Sequence, residues 1–304
     1  MDKYFEIINI IDFELLEIDK AIEKIIFKNK NFLSETFLKY ILSGSKKIRS
    51  SITILLLKAC DENISDNVIS ICALIELIHN ASLIHDDIID NSDTRRNLPS
   101  FNQQFGNKTA VIAGDFLLSL IFDTLCEINN QKITKIFSQT VKNLCMGEIS
   151  QIENKNKIIS LDDYLQKTEQ KTATLFQCAV KSAFLTQKQT QKLEFAENFA
   201  KNFGLAFQIK DDLENFTKTT QDKPSKNDFL SGILTAPAIF YSRQYSIDQI
   251  NTETFEKIKN SFAIRQTEKL YSSFSAKAID LLEYFSDNQY KQALIGLCRQ
   301  FMAQ

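Results

Sequence analysis

Ile71-Cys72-Ala73-Leu74-Ile75-Glu76-Leu77-Ile78-His79-Asn80-Ala81-Ser82-Leu83-Ile84-His85-Asp86-Asp87-Ile88-Ile89-Asp90 is the stretch on which the fold turns. From Ile71 to Ile78 only Glu76 is polar, and a helix that is apolar on most sides belongs inside a bundle. Three carboxylates then arrive together at the end. On a helix Asp86 and Asp90 are four apart, and Asp87 and Asp90 three apart, so the acids are expected on one face. They also lie at the helix C-terminus, where the macrodipole already disfavours negative charge. Like charges at that spacing cost a few tenths of a kcal/mol per pair, roughly. A local rule broken on a core helix points to function. A hard divalent cation would relieve the repulsion, and carboxylate oxygens are its preferred ligands.

The pattern recurs at Asp211-Asp212-Leu213-Glu214-Asn215, again after an apolar run, Phe203-Gly204-Leu205-Ala206-Phe207-Gln208-Ile209. Two such clusters facing one another would hold Mg²⁺ and, through it, a diphosphate, because Mg²⁺ combines one or two carboxylates with phosphate oxygens. Basic residues gather near both. Lys46-Lys47-Ile48-Arg49 opens a predicted helix, whose N-terminus favours an anion. Arg95-Arg96 follows the first cluster, and Lys171 and Lys223 lie in later polar stretches. Any one basic pair alone reads as a solvated surface; set beside carboxylates, the series reads as an anion-binding mouth.

The rest of the chain agrees on fold class. Only 7 Gly and 3 Pro occur in 304 residues, too few for the tight turns of a sandwich, barrel or doubly wound sheet. Helix-period spacing recurs from Ile7 to Ile26 and over about 49–60, 67–90, 110–128, 133–153, 161–185, 189–214, 236–245, 251–262 and 265–297. The expectation is one all-α domain over residues 1–304, a helical bundle with a central apolar cavity. With 36 basic and 38 acidic residues there is no basic excess, so nucleic acid is not an expected partner. Six dispersed cysteines without a CxxC pair read as small hydrophobes in a reducing compartment, and two histidines make a zinc site improbable. The N-terminus lacks a signal pattern, and charges interrupt the apolar stretches; a soluble cytoplasmic protein without a membrane span is expected.

Taken together, the motifs from about Lys46 to Pro237 resemble the trans-polyprenyl diphosphate synthase family. Gly44-Ser45-Lys46-Lys47-Ile48-Arg49 is similar to its GGKxxR segment, and Glu76–Asp90 to its first aspartate-rich motif, with Arg95-Arg96 following. Gly114-Asp115-Phe116-Leu117, Gly147-Glu148 with Gln151, Lys171-Thr172-Ala173, and Phe207-Gln208 with Asp211-Asp212 complete the series in order. The resemblance implies that Lys46, Arg49, His79 and Arg96 bind isopentenyl diphosphate. It implies Mg²⁺ on Asp86, Asp87, Asp90, Asp211 and Asp212, holding an allylic diphosphate with help from Arg95, Lys171 and Lys223. Lys171, Thr172 and Gln208 would line the reacting centre. A homodimer is also implied. Three positions depart from the pattern: Asn215 stands where an Asp is usual, Asp222 precedes Lys223 in place of Gly, and Gly232-Ile233-Leu234-Thr235 lacks the usual lysine.

The reaction so implied is electrophilic chain elongation. The allylic C–O bond ionises as diphosphate leaves, the double bond of isopentenyl diphosphate attacks, and a proton departs to the released diphosphate. Ala81 and Ser82 bear on product size. At about 1.5 Å rise per residue they lie roughly 6 to 7.5 Å below Asp86, on the path of a growing tail. Small side chains there leave the path open, so a long product of about six to ten isoprene units is expected, where a bulky residue would stop it early. The alternatives are a farnesyl- or geranylgeranyl-type short-chain synthase, a class I terpene cyclase, which has no need of Lys46, Arg49 and Arg96, and a non-catalytic subunit of a heteromeric synthase, which Asn215 and Ile233 would suit.

Overall fold

The computed structural model describes residues 3–96, 98–217 and 228–300. It is all-α apart from a two-residue antiparallel ribbon pairing Thr94–Arg95 (β1) with Leu98–Pro99 (β2). The chain gathers into two compact units, each built from discontinuous segments.

The first unit comprises residues 1–139, 178–193 and 286–290. It contains α1 (Lys3–Ile8), α2 (Asp12–Lys28), α3 (Ser34–Leu42), α4 (Ile48–Lys58), α5 (Asp66–Ile89) and α6 (Phe101–Ile128). The apolar stretch from Ile71 to Ile78 lies in α5, and α5 is central: α2, α3, α4 and α6 all pack on it. Ile71, Leu74, Ile75, Leu77 and Ile78 are all but fully buried, each worth about 1.5–3 kcal/mol before chain entropy is charged against it. The N-terminal stripe buries Ile8, Ile11, Ile18, Ile22 and Ile26, though a short 3₁₀ turn at Asn9–Ile11 divides it into two helices. α6 begins earlier than its periodicity suggested, because Gly106 (φ 79°) lets a first turn from Phe101 join the main helix across a kink.

The second unit comprises residues 140–177, 194–285 and 291–304, of which 218–227 and 301–304 lie outside the described residues. Its elements are the later part of α7 (Gln131–Glu153), α8 (Leu161–Thr168), the start of α9 (Thr174–Thr186), α10 (Leu193–Thr217), α11 (Ala236–Ser242), α12 (Thr252–Lys259), α13 (Phe262–Leu281) and α14 (Gln289–Arg299). Tyr164, Leu205, Ile209, Phe216, Phe229, Ile239 and Tyr241 share one core. The single long helix expected over 265–297 is interrupted between α13 and α14. A 3₁₀ turn at Leu282–Tyr284 and an extended Phe285 break it, and the Asn288 side chain restarts the helix by accepting the N–H of Tyr290 at 3.1 Å.

Two other expectations change. α5 and α6 are each long and apolar enough to cross a membrane by length and composition, contrary to the sequence reading; the scattered charges are too few to disqualify them. In α5 67% of the apolar window is buried, as in a core helix, against 39% in α6. Among the cysteines, Cys72, Cys178 and Cys298 are buried, whereas Cys126 and Cys145 are exposed.

Candidate active site

The first acidic cluster lies at the C-terminal end of α5. Asp90 is exposed and Asp86 half-buried, one helical turn apart. Asp87 does not share their surroundings. It is fully buried, and its carboxylate accepts the Arg95 Nε at 3.1 Å, the Arg95 Nη2 and the Tyr40 hydroxyl at 3.0 Å. The expectation that all three acids share one face therefore changes for Asp87: a 100° step per residue turns it inward, where a guanidinium and a phenol occupy it.

Arg95 and Arg96 are presented by the β1–β2 turn. Arg96 adopts a left-handed backbone (φ 50°) and donates from Nη1 to the carbonyls of Ile41 and Ser43 at 3.3 and 3.4 Å. Its stem lies 3.6 Å from where a side chain on Gly44 would begin, so the glycine gives it room at a position (φ 62°) that itself favours glycine. Lys47, also left-handed (φ 45°), closes the loop before α4. Uncommon backbone conformations at non-glycine residues collect at functional sites. Burial lowers the Arg49 guanidinium to about 10; the buried Glu76 opposes that shift and Arg96 adds to it. Glu76, on α5, accepts the Ser50 hydroxyl at 2.7 Å. Burial first, then Arg49, Arg96 and Arg95, push His79 well below its ordinary range, so its imidazole is neutral at pH 7. Arg49, Arg95 and Arg96 thus all lie within electrostatic reach of His79. Lys46 is exposed, its ammonium 5.7 Å from the centre of the Tyr4 ring.

Below Asp86, Ala81 is buried and Ser82 half-buried, with the Ser82 hydroxyl donating to the His79 carbonyl at 2.8 Å. Gly114 explains the quoted Gly-Asp segment of α6: a Cβ there would collide with the His85 imidazole.

The second cluster sits on α10. Asp211 is exposed, but Asp212 is buried and held from two sides. The Tyr164 hydroxyl donates to its Oδ2 at 2.6 Å, and the Gln208 amide to its Oδ1 at 2.9 Å. Gln208 is oriented in turn, because its Oε1 accepts the Thr172 hydroxyl at 2.8 Å. Burial raises the Asp212 carboxyl above the usual carboxylate range, while Tyr164, Gln208, Lys167 and Lys171 pull it back. Lys171 pairs with Glu148 at 2.6 Å.

Lys171 and Thr172 occupy a π-helical turn, Glu169–Ala173, between α8 and α9. Such turns insert a residue into a helix and frequently mark functional sites. Two glycines hold it. A Cβ on Gly147 would fall 3.0 Å from the Lys171 nitrogen, and one on Gly204 would fall 2.8 Å from the Ala173 Cα, so α7 and α10 approach the turn as only glycine permits. Asn215 donates to Asp228 at 2.8 Å. Gly232 (φ 85°) leaves room only for the Asn156 side chain, whose backbone N–H bonds the Gly232 carbonyl at 2.8 Å. Lys223 and Asp222 lie outside the described residues.

Among the described residues, no three His, Cys, Asp or Glu side chains gather into a metal site. The donor set still suits Mg²⁺: Asp86 with Asp90, and Asp211 with Asp212, offer carboxylate pairs, and Mg²⁺ draws its remaining ligands from phosphate and water. Tyr40, Glu76 and Tyr164 were not anticipated from sequence. Each acts on a residue distant in sequence, Tyr164 on Asp212 for instance, and no local pattern signals such a partner.

Comparison with known proteins supplies a family. The polyprenyl synthetase family model matches residues 31–273. A prenyl transferase of Cyanidium caldarium is 34% identical over 301 residues, spanning 93% of each chain. The all-trans-nonaprenyl-diphosphate synthase (geranyl-diphosphate specific) of Rhodobacter capsulatus is 31% identical, spanning 84% of each. Among solved structures, the octaprenyl pyrophosphate synthase of Helicobacter pylori superposes with a TM-score of 0.83 at 28% identity, covering 96% of this chain and 99% of that one.

Proposed function

The chain belongs to the polyprenyl synthetase family and is a prenyltransferase, and from that premise we propose that it joins isopentenyl diphosphate to an allylic diphosphate such as farnesyl diphosphate, building an all-trans chain of long-chain type. The observation that carries the reading is the end of α5, where the Asp86–Asp90 carboxylate pair, the Arg95–Asp87 anchor and the Arg49–His79–Arg96 group share one unit.

Roles follow from the surroundings of each side chain. Arg49, Arg96 and Lys46 supply positive charge for the diphosphate of isopentenyl diphosphate. His79, neutral, offers a hydrogen bond without adding to the repulsion among the arginines. Asp86 with Asp90, and separately Asp211 with Asp212, would hold Mg²⁺; Asp87 positions Arg95 instead of taking a metal. Mg²⁺ bound to these acids would supply charge that stabilises a departing allylic diphosphate. Lys171 stands by for the same anion while paired with Glu148. Thr172 and Gln208 keep Asp212 in one orientation, so little reorganisation remains when substrate arrives. The carbon skeleton then changes without a protein nucleophile: the allylic C–O bond breaks, the isopentenyl double bond attacks, and the proton lost leaves with the released diphosphate. Lys223 is assigned to the allylic diphosphate from the family motif alone.

Buried Ala81 and the small Ser82 support a product of about six to ten isoprene units, since nothing bulky projects from α5 at the depth a growing tail reaches. α6 supports a homodimer: Val111, Ile112 and Phe122 are exposed on an apolar helix, and such surface is ordinarily covered.

The deciding experiment incubates the purified chain with isopentenyl and farnesyl diphosphates, with and without Mg²⁺, and sizes the products. A Mg²⁺-dependent ladder ending near six to ten units, lost in Asp86→Ala, is expected. No condensation by the chain alone would favour the non-catalytic subunit, and products stopping at farnesyl or geranylgeranyl length would overturn the long-chain assignment.

A further inference from the structure

One largely buried lysine has no part in the chemistry above. Lys167 ends the last turn of α8, and only 8% of its surface is exposed. Among the described residues, no hydrogen bond and no ion pair within 4 Å holds its ammonium, which lies 5.5 Å from the centre of the Tyr164 ring. Its stem is buried, but Nζ is not among the polar atoms sealed from solvent without a partner, so the ammonium reaches water. The chain nevertheless places it beside the second acidic cluster. The ring it overlies is the one whose hydroxyl donates to Asp212 at 2.6 Å. Burial lowers its proton affinity, with Lys171 adding, whereas Asp212, Asp228 and Glu148 all raise it. Lys167 also lines a cleft of about 430 Å³, together with Ser150, Glu153, Asp163 and Gln170, which gives small ions a way to its surroundings.

The neighbouring acids are spoken for in a consistent manner. Asp228 accepts from the Asn215 amide, Glu148 pairs with Lys171, and Asp212 takes Tyr164 and Gln208. Asn215, moreover, puts an amide where a third carboxylate would raise the negative charge of α10. The cluster therefore carries less net negative charge than its motif suggests.

We propose that Lys167 is the resident counter-ion of the second acidic cluster: its ammonium, carried on a buried stem, supplies part of the positive charge that divalent ions would otherwise bring, so Asp211 and Asp212 bind such ions more weakly than two carboxylates alone would. This rests on the reading of Asp211 and Asp212 as metal ligands, and the arms of the test separate the two. An ammonium near a carboxylate and a divalent ion placed on that carboxylate repel one another. Lys167 is thus a positioning residue, acting on substrate through Asp212.

The test measures Mn²⁺ binding without substrate, by the loss of its free paramagnetic signal. It uses full-length protein carrying Asp86→Asn and Asp90→Asn, so that the first cluster is silent. Adding Lys167→Met should tighten Mn²⁺ binding at least threefold, whereas Lys167→Arg should leave it unchanged. Equal Mn²⁺ affinity with and without Lys167 would overturn the inference and leave the metal reading standing. No Mn²⁺ bound in either background would overturn both. A melting temperature lowered by Lys167→Met, with binding unmoved, would mean that the lysine serves packing only.

Discussion

Ala81 and His79 are neighbours on α5, yet each tests a different claim. Ala81 is buried, so a phenyl ring there must fill whatever space lies along the expected path of the product tail. Ala81→Phe should shorten the product by several units at a stability cost of about 1–3 kcal/mol; chromatography of the dephosphorylated products checks it, and an unchanged ladder would place the tail elsewhere. His79 is held below its ordinary value of about 6.5 by burial and three arginines, so the folded protein resists protonating it while the unfolded chain does not. The unfolded state then binds more protons below that value, and stability must fall as pH drops through it. His79→Gln removes the linkage. Thermal melts between about pH 7.5 and 5.5 should therefore fall more steeply for wild type than for the variant. Parallel slopes would mean that the imidazole is not buried among cations. Asp87 shows why such assignments need coordinates: its motif position matches that of a ligand, and its partners are Arg95 and Tyr40.

At the scale of elements, the π turn Glu169–Ala173 is the feature that sequence reading passed over. Helical periodicity runs from Leu161 to Leu185 without interruption, and one inserted residue shifts that register without breaking the apolar pattern. The signal lies in its neighbours. Gly147 and Gly204 sit in helix interiors, where glycine costs about 1 kcal/mol relative to alanine, and both face the turn. Gly204→Ala would put a Cβ 2.8 Å from the Ala173 Cα, closer than real contacts allow, so the backbone must yield. The expected result is a melting temperature lower by ~3 °C or more and a fall in kcat larger than any rise in KM, because Thr172 leaves Gln208. Retention of wild-type kcat would show that the turn tolerates displacement. The break between α13 and α14 was missed for a related reason: Ser286–Asn288 is short and polar, and the apolar spacing resumes on its far side.

At the scale of the whole molecule, the exposed side of α6 has the clearest consequence. An 18-residue window of this 28-residue helix is apolar enough to be taken for a membrane span, and only 39% of that window is buried within the chain. Ile112 is 65% exposed. If a second copy covers this side, Ile112→Glu should convert the dimer to monomer in light scattering while leaving helix content intact. A dimer that persists would put the interface elsewhere. The two compact units each carry one acidic cluster, α5 supplying the first and α10 the second.

The amino-acid order by itself determined the helical class, the interior place of α5, the two acidic clusters and the family. These follow from composition, from a period that any helix must share, and from residues adjacent along the chain. Tertiary structure alone decided that Asp87 turns inward to Arg95 and Tyr40, that Tyr164 and Gln208 grip Asp212, that glycines admit the π turn, and that Lys167 is buried beside carboxylates. Each of those depends on partners distant in sequence, Tyr40 with Asp87 and Tyr164 with Asp212 being the clearest. Burial, desolvation and hydrogen-bond direction are properties of what surrounds a group in space, and spacing along the chain encodes them only where a helix happens to bring the partners onto one face.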